Sequence, residues 1–191
     1  MTARIHTIVA LVQNRPGVLN KIASKWRQRA FNIESLTVGH SEVPGLSRMT
    51  FTVVGAAHDI EQVLKQMHKV IEVVKLTDVT DDQTVARELA LIKVATTKEN
   101  RSAIIEIVDV FRAKVVDVAP DSLVIEATGM EDKIDALVGM LQPFGLKELV
   151  RTGRVAMTRG AGTSSTVVAA DLDAHKHRSA GEGKPKVGSL I

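Results

Sequence analysis

The fold is decided near the start of the chain by residues 4–26, RIHTIVALVQNRPGVLNKIASKW. Residues 4–12 are apolar or β-branched on both alternating faces, which predicts a central β-strand. Residues 13–17 are turn formers. From Val18 onward the apolar residues recur every three or four positions, with lysine, arginine and glutamine between them, and this spacing predicts an amphipathic helix.

The pattern continues as far as residue 79. It predicts two strands joined by a turn at residues 42–45, then a second helix and a fourth strand, over residues 32–39, 46–54, 58–70 and 70–79. The order of elements is β-α-β-β-α-β, which is typical of a ferredoxin-like unit.

The same order recurs in the next part of the chain. Strands are predicted over residues 89–95, 114–118, 123–128 and 147–157, and helices over residues 101–111 and 132–141. We therefore predict an α+β protein made of two ferredoxin-like βαββαβ units, residues 1–80 and 81–159.

The composition changes at Gly160. Residues 160–191 are rich in glycine, alanine, serine, threonine, aspartate, histidine and lysine, and no hydrophobic period survives there. Such a segment predicts a disordered tail. Packing of this tail on a partner remains the alternative.

The first strand is apolar on both of its faces. In a βαββαβ unit both helices cover the same face of the sheet, yet Ile8 and Ala10 lie on one face of this strand and Val9 and Leu11 on the other. A face that is apolar and not covered by helices favours contact with another molecule. We predict self-association of the chain.

The composition excludes several classes of protein. Hydrophobic residues make up 45% and charged residues 25%, the balance of a soluble globular protein. No apolar run reaches the roughly 18–20 residues that span a bilayer, and the amino terminus lacks the apolar core of a signal peptide. Since there are no cysteines, disulfides and thiolate chemistry are excluded. We expect a cytoplasmic protein without a membrane segment.

Charge and aromatic content argue against binding nucleic acid. The formal net charge is +3, and no run of lysine or arginine concentrates it. The chain has one tryptophan, four phenylalanines and no tyrosine, too few for a surface that stacks bases.

The most informative loop is Asn14-Arg15-Pro16-Gly17, followed by Val18-Leu19. Pro16 fits the first position of the helix, and Gly17 lets the backbone approach a ligand. The N–H groups at the start of a helix bind carboxylates, and the Asn14 oxygen could accept a hydrogen bond from an ammonium group. The loop is therefore either a site for a small zwitterion or a capped turn without a ligand.

Catalytic chemistry has no visible residues. The six histidines lack an aspartate or glutamate at the spacing of a triad or a metal site, and the pair His175 and His177 lies in the predicted tail. The chain has no phosphate-binding loop, no dinucleotide glycine fingerprint and no nucleophile elbow. We expect no catalytic residues and no metal site.

Several motifs resemble those of a known family. They are NRPGVL at residues 14–19, FNIESLTV at 31–38, LSRMT at 46–50, RELALIKV at 87–94 and FRAKVVDV at 111–118. Together they resemble the small regulatory subunits of acetolactate synthase, also called acetohydroxyacid synthase, over roughly residues 4–159.

The resemblance implies an amino-terminal ACT domain, a carboxy-terminal ACT-like domain and no catalysis by this chain. In the family, a large subunit condenses pyruvate with pyruvate or 2-oxobutyrate, using thiamine diphosphate, Mg²⁺ and FAD. The small subunit raises that activity and confers feedback inhibition by valine, sometimes also by leucine or isoleucine. The implied partners are the large subunit, a second copy of this chain and valine, and no cofactor is implied on this chain.

The resemblance also implies the effector site, which in the family lies between two ACT domains of a dimer. The loop of one chain contributes Asn14, Gly17, Val18 and Leu19, with Arg15 and Pro16 at further loop positions. The other chain contributes Asn32 and Ile33. The second unit has no glycine in the corresponding joint at residues 96–100, so we expect effector binding in the first unit only and docking or dimer support from the second.

Three other readings compete with this one. An RNA-recognition module has the same element order but needs aromatic residues on its central strands, where this chain offers only Phe51. A stand-alone amino-acid-sensing ACT protein could regulate another enzyme or a transcription factor. An enzyme in its own right would need a catalytic set that the sequence does not display.

Overall fold

The computed structural model describes residues 3–160 and 169–181. The chain divides into two compact units, Met1–Thr84 with Met157–Ile191, and Val85–Ala156. The division falls a few residues later than the boundary expected between residues 80 and 81, because a strand that belongs mainly to the second unit begins at Thr84.

The first unit has the predicted order. Its elements are β1 (Arg4–Gln13), α1 (Val18–Gln28), β2 (Ile33–His40), β3 (Leu46–Gly55), α2 (Ala57–Met67) and β4 (Val73–Asp78). The four strands form an antiparallel sheet in the order β2-β3-β1-β4. This confirms the βαββαβ unit predicted from the alternating and helical periods.

The core of this unit lies between the sheet and its two helices. Ile8, on the helix side of β1, and Phe51, on the same face of β3, are fully buried. Trp26 of α1 is also fully buried and meets Phe31 edge to face, with ring centroids 5.9 Å apart. Burial of one large apolar side chain stabilises a fold by roughly 1.5–3 kcal/mol, so these rings fix α1 on the sheet.

The second unit repeats the arrangement. Its elements are β5 (Thr84–Ala95), α3 (Arg101–Val110), β6 (Lys114–Val118), β7 (Ser122–Gly129), α4 (Glu131–Leu141), a short 3₁₀ turn (Gln142–Phe144), β8 (Leu146–Arg151) and β9 (Val155–Thr158). The strand order is β6-β7-β5-β8, and β9 also pairs with β5. The second unit therefore confirms the predicted α+β class.

The end of this unit differs from the prediction. The sequence predicted one strand over residues 147–157, but the chain forms two, β8 and β9, with a break between them. Gly153 lies in the break with a φ of 83°, in the left-handed region that glycine adopts readily. The break lets both short strands pair with the long strand β5.

The prediction of a disordered tail is wrong for residues 169–181, which form α5 (Ala169–Gly181). The helix is held by individual polar contacts to the first unit, including the ion pair between Asp171 and Lys75 and the buried side chain of His175. Such contacts leave no hydrophobic period, and for that reason the composition was misleading. The rest of the predicted tail, residues 161–168 and 182–191, lies outside the described residues.

Candidate functional site

The loop of residues 14–17 leaves β1 at one end of the first sheet. The N–H of Asn14 donates to the carbonyl of Gly45 over 2.8 Å, and the N–H of Gln13 donates to the carbonyl of Glu72 over 2.9 Å. The base of the loop is thus tied to the β2–β3 turn on one side and to the segment before β4 on the other. The side of the loop that faces solvent remains open, since residues 14–17 are all exposed.

Gly17 is the cap of α1 and has a φ of 83°. The helix begins at Val18, and the N–H of Lys21 donates to the carbonyl of Gly17 over 3.0 Å as its first helical bond. Pro16 was predicted at the first helical position, but it lies in the turn before the cap. The prediction was wrong because the left-handed conformation of Gly17 interrupts the chain between Pro16 and the helix.

The start of α1 offers its backbone N–H groups to solvent. A glycine cap has no side chain, and no side chain caps this helix. The N–H groups of Leu19 and Asn20 precede Lys21, whose N–H is the first donor within the helix, so the helix itself cannot satisfy them. A Cβ built on Gly17 meets no atom within 4 Å. The loop therefore combines partial positive charge with open space, as an anionic group requires.

The helix start is held in place from below. Val18 is buried, while Leu19 is 41% exposed and projects from the first turn. Lys21 forms a short ion pair with Glu72, and this contact is the main cause that lowers the pKa of the Glu72 carboxyl. Sequence reasoning missed Glu72, because nothing in the sequence pairs it with a lysine in α1.

Asn32 and Ile33 lie at the opposite end of the sheet. Ile33 pairs with Val53, Val53 with His6, and the loop begins after Gln13 on the same strand as His6. Seven residues of β1, from His6 to Gln13, separate the register position of Ile33 from the start of the loop. This is about 23 Å at roughly 3.3 Å per residue. The structure therefore brings Asn14, Gly17, Val18 and Leu19 together, with Arg15 and Pro16, but it does not bring Asn32 and Ile33 to them.

The surroundings of Asn32 and Ile33 form a candidate second half-site. Together with Asn20, Ser24 and Arg27 of α1 they line an open cavity of about 600 Å³. The amide of Asn32 donates to the Glu34 carboxylate over 3.0 Å. The helix α1 runs from the loop towards this cavity.

Strand β2 gives the first unit an open edge. Among the described residues, β2 pairs with β3 alone, and Val38 on β2 is 48% exposed. An unpaired strand edge presents backbone groups that can pair with another chain. The edge, the loop and the cavity beside Asn32 all belong to the first unit.

The described residues lack the features of two other functional classes. Within residues 3–160 and 169–181, no three side chains of histidine, aspartate or glutamate lie together in a way that could hold a metal ion. In the same residues, no helix combines the length and the apolar character needed to cross a membrane.

Comparisons with known proteins match both units. Residues 8–75 match the family described as "AHAS small subunit-like ACT domain", and residues 87–160 match "Small subunit of acetolactate synthase". The chain is 51% identical over 155 residues to the "Probable acetolactate synthase small subunit" of Archaeoglobus fulgidus, covering 81% of this chain and 97% of that protein. It is 50% identical over 154 residues to the "Acetolactate synthase small subunit" of Bacillus subtilis, covering 80% and 90%.

A solved structure gives the same result. The crystal structure of the acetolactate synthase small subunit of Thermotoga maritima is similar to this chain, with a TM-score of 0.77 and 42% identity. The match covers 83% of this chain and 99% of that one. Acetolactate synthase small subunits therefore match both units of this chain.

Proposed function

The chain belongs to the family of acetolactate synthase small subunits, and from this premise we propose that it binds valine between two copies of its first unit. The chain is a regulatory subunit, and its partner is the catalytic large subunit of acetolactate synthase.

One observation carries the proposal. The loop of residues 14–17 and the half-site at Asn32 lie about 23 Å apart in one chain, at about 3.3 Å per residue along β1. A free amino acid is far too small to touch both. A dimer related by a two-fold axis across α1 brings the two half-sites together twice, giving two equivalent sites.

Each half-site supplies different chemistry. The carboxylate of valine binds the N–H groups at the start of α1, with the side of Gly17 open to it. The Asn14 side chain accepts a hydrogen bond from the ammonium group. Leu19, exposed on the first turn, contacts the isopropyl group, and Asn32 and Ile33 of the second copy close the site from above.

Regulation follows from coupling between sites. Valine stabilises one arrangement of the dimer, and that arrangement changes how the small subunit holds the large one. The large subunit carries thiamine diphosphate, Mg²⁺ and FAD, and it performs the pyruvate condensation in the cytoplasm. This chain raises that activity, and valine bound to it lowers the activity again. The second unit supports the dimer or the docking of the large subunit.

The first test is thermal unfolding of the chain with millimolar valine, with alanine and glutamate as controls. A ligand that binds only the folded state, present at about 100 times its dissociation constant, adds roughly 2.7 kcal/mol. We expect valine, and neither alanine nor glutamate, to raise the midpoint temperature of unfolding, both without and with the large subunit. No rise in either case would contradict the proposed effector site.

The second test is reciprocity. If valine alters the affinity of this chain for the large subunit, the large subunit must alter the affinity for valine by the same factor. Calorimetric titration of valine into the chain, alone and in complex, measures this factor. A chain that recovers another enzyme and leaves acetolactate synthase activity unchanged would instead favour a stand-alone amino-acid sensor.

A further inference from the structure

The helix α5 lies beyond the part of the chain that its relatives share. The matched family model ends at residue 160, and α5 begins at Ala169. The relative from Archaeoglobus fulgidus is matched over 97% of its own length while using 81% of this chain. Those proteins therefore imply no role for α5, and its contacts within this chain are what indicate one.

Three side chains of α5, those of Asp171, His175 and Arg178, hold the helix on the first unit. The ammonium group of Lys75 lies 3.1 Å from the carboxylate of Asp171. The amide nitrogen of Gln13 lies 2.7 Å from Nε2 of His175, so the amide N–H donates to a neutral imidazole. The guanidinium of Arg178 donates to the carbonyl of His68 over 2.8 Å and to that of Val73 over 2.9 Å.

The register of the sheet fixes which face α5 occupies. Lys75 of β4 pairs with Leu11 of β1, and paired residues share a face of the sheet. Gln13 lies two residues beyond Leu11 and is therefore on that face as well. This is the face opposite to Ala10 and the helices α1 and α2, so α5 packs on the side of the sheet that those helices leave uncovered.

The contact at Gln13 reaches the base of the effector loop. Gln13 is the last residue of β1 and directly precedes Asn14. Its carbonyl accepts a hydrogen bond from the N–H of Arg15 over 3.0 Å, and its N–H donates to the backbone carbonyl of Glu72. One residue thus joins α5, the loop and the segment before β4.

Burial and charge around His175 agree with this geometry. The His175 side chain is buried. Burial is the main cause that lowers its pKa, and the charges of Arg178 and Arg15 lower it further, while Glu72 and the backbone of Val73 act in the opposite sense. Arg15 belongs to the loop, which places the loop and α5 within each other's electrostatic reach.

We propose that α5 is a clasp that holds the base of the loop of residues 14–17, so that His175 and Gln13 are positioning residues for the effector. The inference rests on the proposed function of that loop. A loop held in its binding conformation before the ligand arrives loses less conformational freedom on binding. Release of α5 should therefore weaken binding of valine without removing any group that touches it.

The test uses the full chain and substitutions on α5 itself, which leave the core of the unit unchanged. His175→Ala with Arg178→Ala removes two of the anchors. His175→Gln keeps an oxygen that can accept the Gln13 N–H and serves as the conservative rescue. Lys176→Ala is the matched control, since the Lys176 side chain is 77% exposed on the same helix.

Two measurements are made on each variant: amide hydrogen exchange of α5 and of residues 13–20, and the dissociation constant for valine by calorimetry. In the double variant we expect faster exchange in both segments and about three- to tenfold weaker valine binding. His175→Gln and Lys176→Ala should stay close to the wild-type chain in both measurements.

The outcomes separate this inference from the proposed function. If the double variant releases α5 but binds valine as tightly as the wild-type chain, the clasp is wrong and the effector site stands. If α5 exchanges no faster in the double variant, the contacts named here do not hold the helix and the inference is wrong. If the wild-type chain fails to bind valine even with the large subunit present, the proposed function is overturned, and the clasp with it.

Discussion

Gly17 offers the sharpest test of where the effector's carboxylate binds. Its φ of 83° favours glycine, but aspartate and asparagine tolerate this region better than other residues. A Cβ at this position meets no atom within 4 Å, so there is space for the Cβ of either substitution. Gly17→Asp and Gly17→Asn have nearly the same shape and the same backbone strain, and they differ in one negative charge.

The expected effect follows from the distance between two carboxylates. We take a separation of about 5–6 Å between a charge on the side chain at position 17 and a carboxylate bound at the N–H groups of Leu19 and Asn20. At an effective dielectric constant of about 20–40, the repulsion is roughly 1.5–3 kcal/mol, which corresponds to roughly 10- to 150-fold in affinity. The loop is exposed, which favours the smaller value.

The assay is calorimetric titration of valine into both variants and the wild-type chain, followed by valine inhibition of the reconstituted enzyme. We expect Gly17→Asp to bind valine at least tenfold more weakly than Gly17→Asn. Thermal unfolding serves as the control. An acidic group at the start of a helix stabilises it by about 0.3–1 kcal/mol, so Gly17→Asp should not unfold at a lower temperature than Gly17→Asn. Equal affinity of the two folded variants would refute binding of the carboxylate at the start of α1.

Three further predictions follow from other features. Asn14→Ala should weaken valine binding by about 1–3 kcal/mol, because it leaves the ammonium group without its acceptor, and unchanged affinity in calorimetry would contradict that role. Burial lowers the His175 pKa from 6.5 in the docked helix, so a detached α5 binds the proton more readily. Docking should therefore be complete above about pH 6.5 and weaken as the pH falls below it. We expect faster hydrogen exchange of α5 at low pH, and His175→Gln should reduce this effect, leaving the part due to His68, whose pKa is also lowered by burial and by Arg178. Glu72, whose pKa is lowered, stays charged across that range. Trp26→Ala should reduce the free energy of unfolding by about 3–5 kcal/mol in denaturant titrations because it leaves a cavity, whereas a loss below about 1 kcal/mol would contradict its place in the core.

The elements of both units could be predicted from the sequence because their periods are strong. Strand β1 is buried on one face by α1 and α2, and the residues that alternate into that core, such as Ile8, are the ones the pattern selects. The helix α1 buries Val18, Ile22 and Trp26, spaced four residues apart. Where buried positions recur at regular spacing, the hydrophobic period of the sequence predicts the strand or helix.

The features that escaped prediction depend on single residues or on distant contacts. The left-handed Gly17 moves the start of α1 past Pro16, and Gly153 divides the last predicted strand into two. The helix α5 is docked through polar contacts such as that of His175 with Gln13, which leave no hydrophobic pattern in the sequence.

The candidate site was only partly readable from local spacing. The loop of residues 14–17 lies within one turn of chain, so the anion-binding character that we propose for it could be inferred from the sequence. Asn32 and Ile33 came from the family resemblance, because in the proposed site their relation to the loop depends on a second copy of the chain. The register of the sheet explains why: one chain keeps the two half-sites at opposite ends of the sheet.

A complementation experiment tests the shared site most directly. Asn14→Ala and Asn32→Ala each damage one half-site, and a dimer of either variant has two damaged sites. A mixed dimer of the two variants places both defects in one site and leaves the other intact, so a fully exchanged equimolar mixture should regain about a quarter of the wild-type valine sites. Calorimetry of the mixture, with exchange followed by differently tagged chains, counts these sites. Recovery of about a quarter of the sites at wild-type affinity is the predicted result, and a fully exchanged mixture with no recovered sites would contradict a site built from two copies.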